Sequence, residues 1–189
     1  MKRVAIISLA LAVGIGIPAT LAAQDFGSAP SLRLSYFGDL ITHPGVAVEF
    51  SLPFVSGPVG SAWASLKSGW YLHQRNHSGF FLGIGLGGGL TSPGGLRWEG
   101  DVNTGFFVSK PAGVVYVEDG LGGAVGEAGA ARSNFMASAS LGISWTPPLV
   151  KAWTPSPFLR MGGFGEYPFN GYFYVHPFVE AGLGFGVGQ

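Results

Sequence analysis

The 189-residue chain contains no cysteine. That excludes disulfides, thiolate metal sites, a cysteine nucleophile and a lipidated cysteine. Charge is scarce as well: charged residues make up 11% of the chain, against about 25% in an average soluble domain. So few charges cannot cover a water-facing surface. Ten basic and ten acidic residues cancel, which removes the attraction that nucleic-acid binding depends on, and no nucleic-acid partner is expected. No segment beyond the N-terminus is long and apolar enough for a membrane helix. Glycine recurs without a three-residue period, which excludes collagen. A hydrophobic fraction of 47% also excludes a disordered polar chain.

The plentiful residues are 33 glycines and 15 phenylalanines. At the N-terminus, Met1-Lys2-Arg3 precedes an apolar run from Val4 to Ile17, and Pro18-Ala19-Thr20-Leu21-Ala22-Ala23 supplies small residues. This three-part pattern is that of a secretory signal peptide over residues 1–23. Residues 24–189 are then expected to form a single domain.

That domain alternates in hydrophobicity with period two, as strands do. Phe80, Leu82, Ile84 and Leu86 oppose Phe81, Gly83, Gly85 and Gly87. Phe135, Ala137, Ala139, Leu141, Ile143 and Trp145 oppose Met136, Ser138, Ser140, Gly142 and Ser144. Val179, Ala181, Leu183 and Phe185 oppose Phe178, Glu180, Gly182 and Gly184. Glycine at every second position would break a helix. Eight such runs are expected, over 31–41, 45–55, 62–75, 79–91, 95–109, 133–146, 157–167 and 173–187. Each is long enough to cross a membrane as a tilted strand of about 9–11 residues. Turn residues separate them, as in Thr42-His43-Pro44-Gly45 and Ser92-Pro93-Gly94-Gly95, with one long connection over 110–132.

The fold expected is all-β: an eight-stranded antiparallel up-and-down transmembrane barrel. A water-soluble barrel would turn the polar set outward. Here that set is mostly Gly, Ala and Ser, which suits a narrow interior better than a wet exterior. Lipid is therefore the expected surroundings, with Tyr36, Trp63, Trp98 and Trp145 as interfacial aromatics on the outer face.

In this register ten of the twenty charged residues point inward. Arg33, Glu49, Lys67, Arg97, Glu99, Asp101, Arg160 and Glu180 are expected to form a paired polar network, because eight strands leave an interior just wide enough for side chains. No open pore is expected. With a periplasmic N-terminus, the first, third, fifth and seventh connections lie on the outer side. Asp39, His43, Arg75, Asn76, His77, Glu166, Asn170 and His176 then gather at the outer mouth as a candidate ligand-binding set, together with His73. The 110–132 connection is expected to fold over that opening and to bring Glu118 and Asp119 to the histidines.

Tyr36-Phe37-Gly38-Asp39 with Thr42-His43-Pro44-Gly45, Arg75-Asn76-His77-Ser78-Gly79 and Phe164-Gly165-Glu166-Tyr167-Pro168-Phe169-Asn170-Gly171 resembles a family of small bacterial outer-membrane barrel proteins without an assigned activity. The resemblance implies the fold, an outer-membrane location, and membrane lipid and the barrel-assembly machinery as partners; it implies no reaction and no oligomeric state. Proteins of that kind commonly end on an aromatic residue, whereas the last aromatic here is Phe185.

The expected role is structural or ligand-binding. The alternative is a lipid-modifying enzyme at the outer rim, a lipid A deacylase or acyltransferase. Such an enzyme needs His and Ser on one face, and adjacent His77 and Ser78 point to opposite faces of a regular strand. No catalytic residue is assigned. No HExxH-like spacing or phosphate-binding loop occurs, and no metal or cofactor is expected.

Overall fold

The computed structural model describes residues 29–39, 43–73, 77–118, 120, 123–146, 155–169 and 172–187. The expected signal segment lies outside the described residues. Eight strands close into a barrel in the order β1-β10-β9-β8-β5-β4-β3-β2. They are β1 (Ser31–Asp39), β2 (His43–Ser56), β3 (Gly60–His73), β4 (His77–Thr91), β5 (Leu96–Pro111), β8 (Arg132–Trp145), β9 (Ser156–Phe169) and β10 (Tyr172–Gly186). Every neighbouring pair is antiparallel, and β1 closes the ring against β10 from Ser31↔Gly186 to Asp39↔Phe178. The chain is an up-and-down barrel, and no barrel strand is left with an open edge.

The long connection is more ordered than its Gly-rich sequence suggests. It contains β6 (Val114–Glu118) and β7 (Ala124–Ala128), which pair with each other and not with the barrel. Glu118 lies opposite Ala124 and is exposed. Among the described residues, no contact joins it to the histidines. Asp119 lies outside the described residues. The carboxylates that face the histidines are Asp39 and Glu166 instead, from the barrel strands β1 and β9.

Turn chemistry places the opposite end. Gly95 N–H donates to the Ser92 carbonyl at 3.0 Å, and Gly95 adopts φ 81°, a left-handed conformation that favours glycine. On β2 the register against β3 shifts between Pro53 and Val55. Proline has no N–H to give the ladder, so a bulge there loses little.

The alternation sorts the walls. Leu34, Ile84, Leu141 and Leu183 lie on the outside, Ile84 being 64% exposed, while Glu49 and Glu180 are 3% and 0% exposed. An apolar outer wall around a charged interior is the arrangement of a barrel whose exterior solvent is hydrocarbon. Trp98, Trp145 and Tyr36 are on that outer wall as expected. Trp63 is not. It is 5% exposed and lies inside, its ring under the Arg97 guanidinium at 4.5 Å and over Gly87, where a Cβ would collide with the indole. Trp63 shares the parity of Ser65 and Lys67, which the strand pleat sends inward.

Arginine at Ile84 or Leu183 is expected to cost about 2–4 kcal/mol near the bilayer midplane, measured by urea unfolding in lipid vesicles. Valine at Gly85 is expected to prevent refolding instead, because its Cβ would meet the Asn103 side chain.

Candidate functional site

Inside the barrel the side chains stack in three layers. The layer toward the β2–β3 and β4–β5 turns is ionic. Arg160 is fully enclosed; it donates from Nη1 to Glu49 Oε2 at 2.6 Å and from Nε to Glu99 Oε1 at 2.9 Å. Its Nη1 is also 3.3 Å from Asp101 Oδ2. Arg33 forks onto Glu99 at 2.7 and 2.8 Å from the opposite wall. Lys67 donates to Glu180 at 2.6 Å, and Ser35 donates to the other oxygen of that carboxylate at 2.7 Å. Asp101 accepts from Ser140 and Asn103, each at 2.7 Å. Arg97 donates to Ser61 at 2.6 Å and lies 3.9 Å from Glu99. Four cations thus meet four carboxylates, and the layer is neutral. Buried charges demand this, because an unpaired one is costly where water is excluded.

The middle layer is aromatic, where the alternation predicts an inner set that is mostly Gly, Ala and Ser with Phe81, Met136 and Phe178 among them. Phe37, Tyr71, Phe81, Phe107, Met136, Phe164 and Phe178 fill it with Ala47. Phe37 sits 5.0 Å from both Phe81 and Phe178, centroid to centroid. Phe81, Met136 and Phe178 fall in the inward set that the alternation predicts, and Phe37, Tyr71, Phe107 and Phe164 share the inward parity of Asp39, Lys67, Asp101 and Glu166 on their own strands. Glycines opposite them make the room: a Cβ on Gly79 would come within 2.5 Å of Tyr71 and 2.7 Å of Phe107. Lys67 joins the layers, its ammonium 5.4 Å from the Phe178 ring centroid. The gap left between them is about 10 Å³, room for one water at most.

The third layer is the mouth, at the ends of β1, β2, β3, β4, β9 and β10. All four histidines converge there. His43 and His73 stack at 3.6 Å; His73 and His77 are 5.8 Å apart, and His77 and His176 6.3 Å, centroid to centroid. His176 is 4% exposed, stacked parallel on Phe164 at 4.5 Å with Tyr174 edge-on at 4.7 Å. Its Nδ1 is 3.4 Å from Asp39 Oδ2 and its Nε2 is 3.6 Å from Glu166 Oε1. His43 Nδ1 is 3.7 Å from the same Asp39 oxygen. Asn134 donates to Glu166 at 3.0 Å, and the Tyr71 hydroxyl is hydrogen-bonded to His77 Nε2 at 2.9 Å.

Of the expected mouth set, Asp39, His43, His77, Glu166 and His176 come together, while Arg75, Asn76 and Asn170 lie outside the described residues. Tyr71, Asn134 and Tyr174 belong to the site and were missed. Tyr71 shares a strand and an inward parity with Lys67 and His73, and Tyr174 with His176; Asn134 lies on β8, which carries no expected site residue, and shares the inward parity of Met136. Among the described residues no group of three or more ligating side chains is arranged to hold a metal ion. His77 faces Tyr71 inside the barrel, whereas Ser78 follows it on the opposite strand face, across from Leu72 and Lys110. The two cannot act as a hydrolytic pair in this arrangement.

Replacing Arg160 by leucine leaves Glu49 without its shortest donor and takes one of the guanidinium donors from Glu99, and a loss of about 3–5 kcal/mol is expected. Tyr71→Phe removes one hydrogen bond at the mouth and is expected to cost about 1 kcal/mol. Urea unfolding of the refolded barrel separates the two magnitudes.

No family model matches the chain, and no curated protein matches it. Among solved structures it is similar to the N-terminal β-barrel domain of OprF from Pseudomonas aeruginosa, with 15% identity, 82% of this chain and 97% of that chain covered, and a TM-score of 0.46. It is similar also to Ail, the attachment invasion locus protein of Yersinia pestis, at 12% identity over 83% of this chain and 97% of that chain, TM-score 0.42. The β domain of the Bordetella autotransporter BrkA gives 15% identity, 82% and 67% coverage, and a TM-score of 0.40. These are likenesses of fold alone.

Proposed function

We propose that the chain is a small, non-conducting barrel of the bacterial outer membrane with a structural or ligand-binding role. Its working surface on this reading is the histidine-lined mouth, turned to the outer side. The filled interior is the observation that supports the reading. An ionic layer, an aromatic layer and the mouth cluster occupy the lumen in succession, and the gap between the first two holds one water at most. Eight-stranded barrels are narrow enough to be filled in this way.

Membrane lipid on the outer wall and the barrel-assembly machinery are the partners this reading calls for, and residues 1–23 would be removed as a signal peptide. The mouth then supplies what the filled lumen does not: ionisable and aromatic groups gathered at a barrel end. Asp39, His43, His77, Glu166 and His176 are the residues through which a polar ligand would be held, with Arg75, Asn76 and Asn170 nearby in sequence.

Two measurements test the proposal. Fractionation should place the protein in the outer membrane as a species whose gel mobility changes on heating. In planar lipid bilayers the purified barrel should show no channel steps, and an open conductance would refute the closed lumen. Recovery as a soluble periplasmic monomer without detergent would refute the location.

A further inference from the structure

Among the described residues, three polar atoms at the mouth are buried without a hydrogen-bond partner: Asp39 Oδ1, His43 Nδ1 and His176 Nε2. Such atoms are rare in folded proteins and ask for an explanation. His176 provides it. Its two ring nitrogens each face a carboxylate, Asp39 Oδ2 at 3.4 Å and Glu166 Oε1 at 3.6 Å. A neutral imidazole has one N–H and one lone pair. Whichever tautomer is present, one carboxylate therefore faces a lone pair. Rotation does not relieve this, since a flipped neutral ring still has one N–H and one lone pair, and the ring is stacked on Phe164 with Tyr174 edge-on. Asp39, Glu166 and His176 are 2%, 2% and 4% exposed, so these groups face one another more than they face bulk water.

We propose that the mouth is a proton-binding site, in which a second proton on His176 ties the ends of β1 and β9 together through the β10 imidazole. The doubly protonated ring donates from Nδ1 to Asp39 and from Nε2 to Glu166. Charge-assisted bonds of this type contract to about 2.7–2.9 Å, so both separations shorten. Asn134 already holds the far oxygen of Glu166 at 3.0 Å, which aims the near one at the ring.

The surrounding ionisable groups favour this position over its neighbours. Asp39 faces the ring from β1, Glu166 from β9, and Tyr174 from β10 itself. Tyr71 and His73 approach from β3, His43 from β2 and His77 from β4; Phe107 of β5 and Asn134 of β8 bear no ionisable group. His43 and His73 are stacked at 3.6 Å, where two positive rings would repel, whereas His176 lies between two carboxylates. The nearest lumen cation, Lys67, is paired with Glu180 on the far side of the aromatic layer. The mouth therefore tightens when the medium is acid and loosens when it is alkaline. The inference builds on the mouth as the working surface and is independent of the closed lumen, so the conductance and pH experiments fail separately.

The test uses the full mature barrel refolded in micelles, with thermal unfolding followed by heat-modified gel mobility. Wild type and H176Q are compared at about pH 5.5 and about pH 8.5, on either side of the free-imidazole value of about 6.5. A proton held by the folded form and less well by the unfolded chain stabilises below that value, and the stabilisation fades as the pH rises. Wild type should unfold a few degrees above H176Q at the lower pH, and the gap should shrink at the higher. A gap that is absent, constant or larger at the higher pH overturns the proposal. If H176Q does not refold, ¹⁵N spectra of the wild-type ring decide: two protonated nitrogens at the lower pH support the site, and an unchanged neutral ring at both overturns it. E166Q should narrow the difference between the two pH values, because its carboxamide can donate to the Nε2 lone pair.

Discussion

The enclosed guanidinium of Arg160 is the interaction on which the interior depends. It comes from β9 and reaches Glu49 on β2 and both Glu99 and Asp101 on β5. A charge with no exposure is tolerable only when its partners neutralise it and satisfy its donors. The requirement spreads outward: Glu99 also needs the fork of Arg33, and Asp101 needs Ser140 and Asn103. Strands far apart around the ring are thus joined through the lumen as well as through their edges.

The aromatic layer separates two electrostatic regimes. Beneath it, cations and carboxylates are matched in number and held at hydrogen-bonding distance. Above it, Asp39 and Glu166 have histidines as their cationic neighbours, at 3.4 to 3.7 Å. Imidazole is the one side chain whose ordinary titration falls near neutrality. The lower layer is therefore built for permanence, and the mouth for response. Lys67 lies at the junction, bonded to Glu180 and facing the Phe178 ring.

The outer wall follows the opposite chemistry with the same pleat. Residues such as Ile84, Leu141 and Phe106 are 64%, 72% and 70% exposed, which in water would be an aggregation hazard and in lipid is the favourable state. The β6–β7 hairpin continues this exposure beyond the barrel, with Tyr116 74% exposed.

Strand count, strand bounds and the sorting of side chains to two faces were legible in the sequence, because the pleat is a local property that repeats every two residues. Ile84 outside and Glu180 inside follow from it directly, and so does the convergence of the histidines on one end once the turns are counted. Trp63 obeyed the same parity as Lys67, but its hydrophobicity argued for the outer face; Gly87, paired with it on the adjacent strand β4, makes room for the indole, as Gly79 does for Tyr71. Partner choice was not legible at all. That Arg33 meets Glu99, 66 residues away on the opposite wall, depends on the tilt and stagger with which eight strands close. The same closure sets His176 between Asp39 and Glu166. Alternation assigns a side chain to the interior, and only the closed ring determines what it meets there.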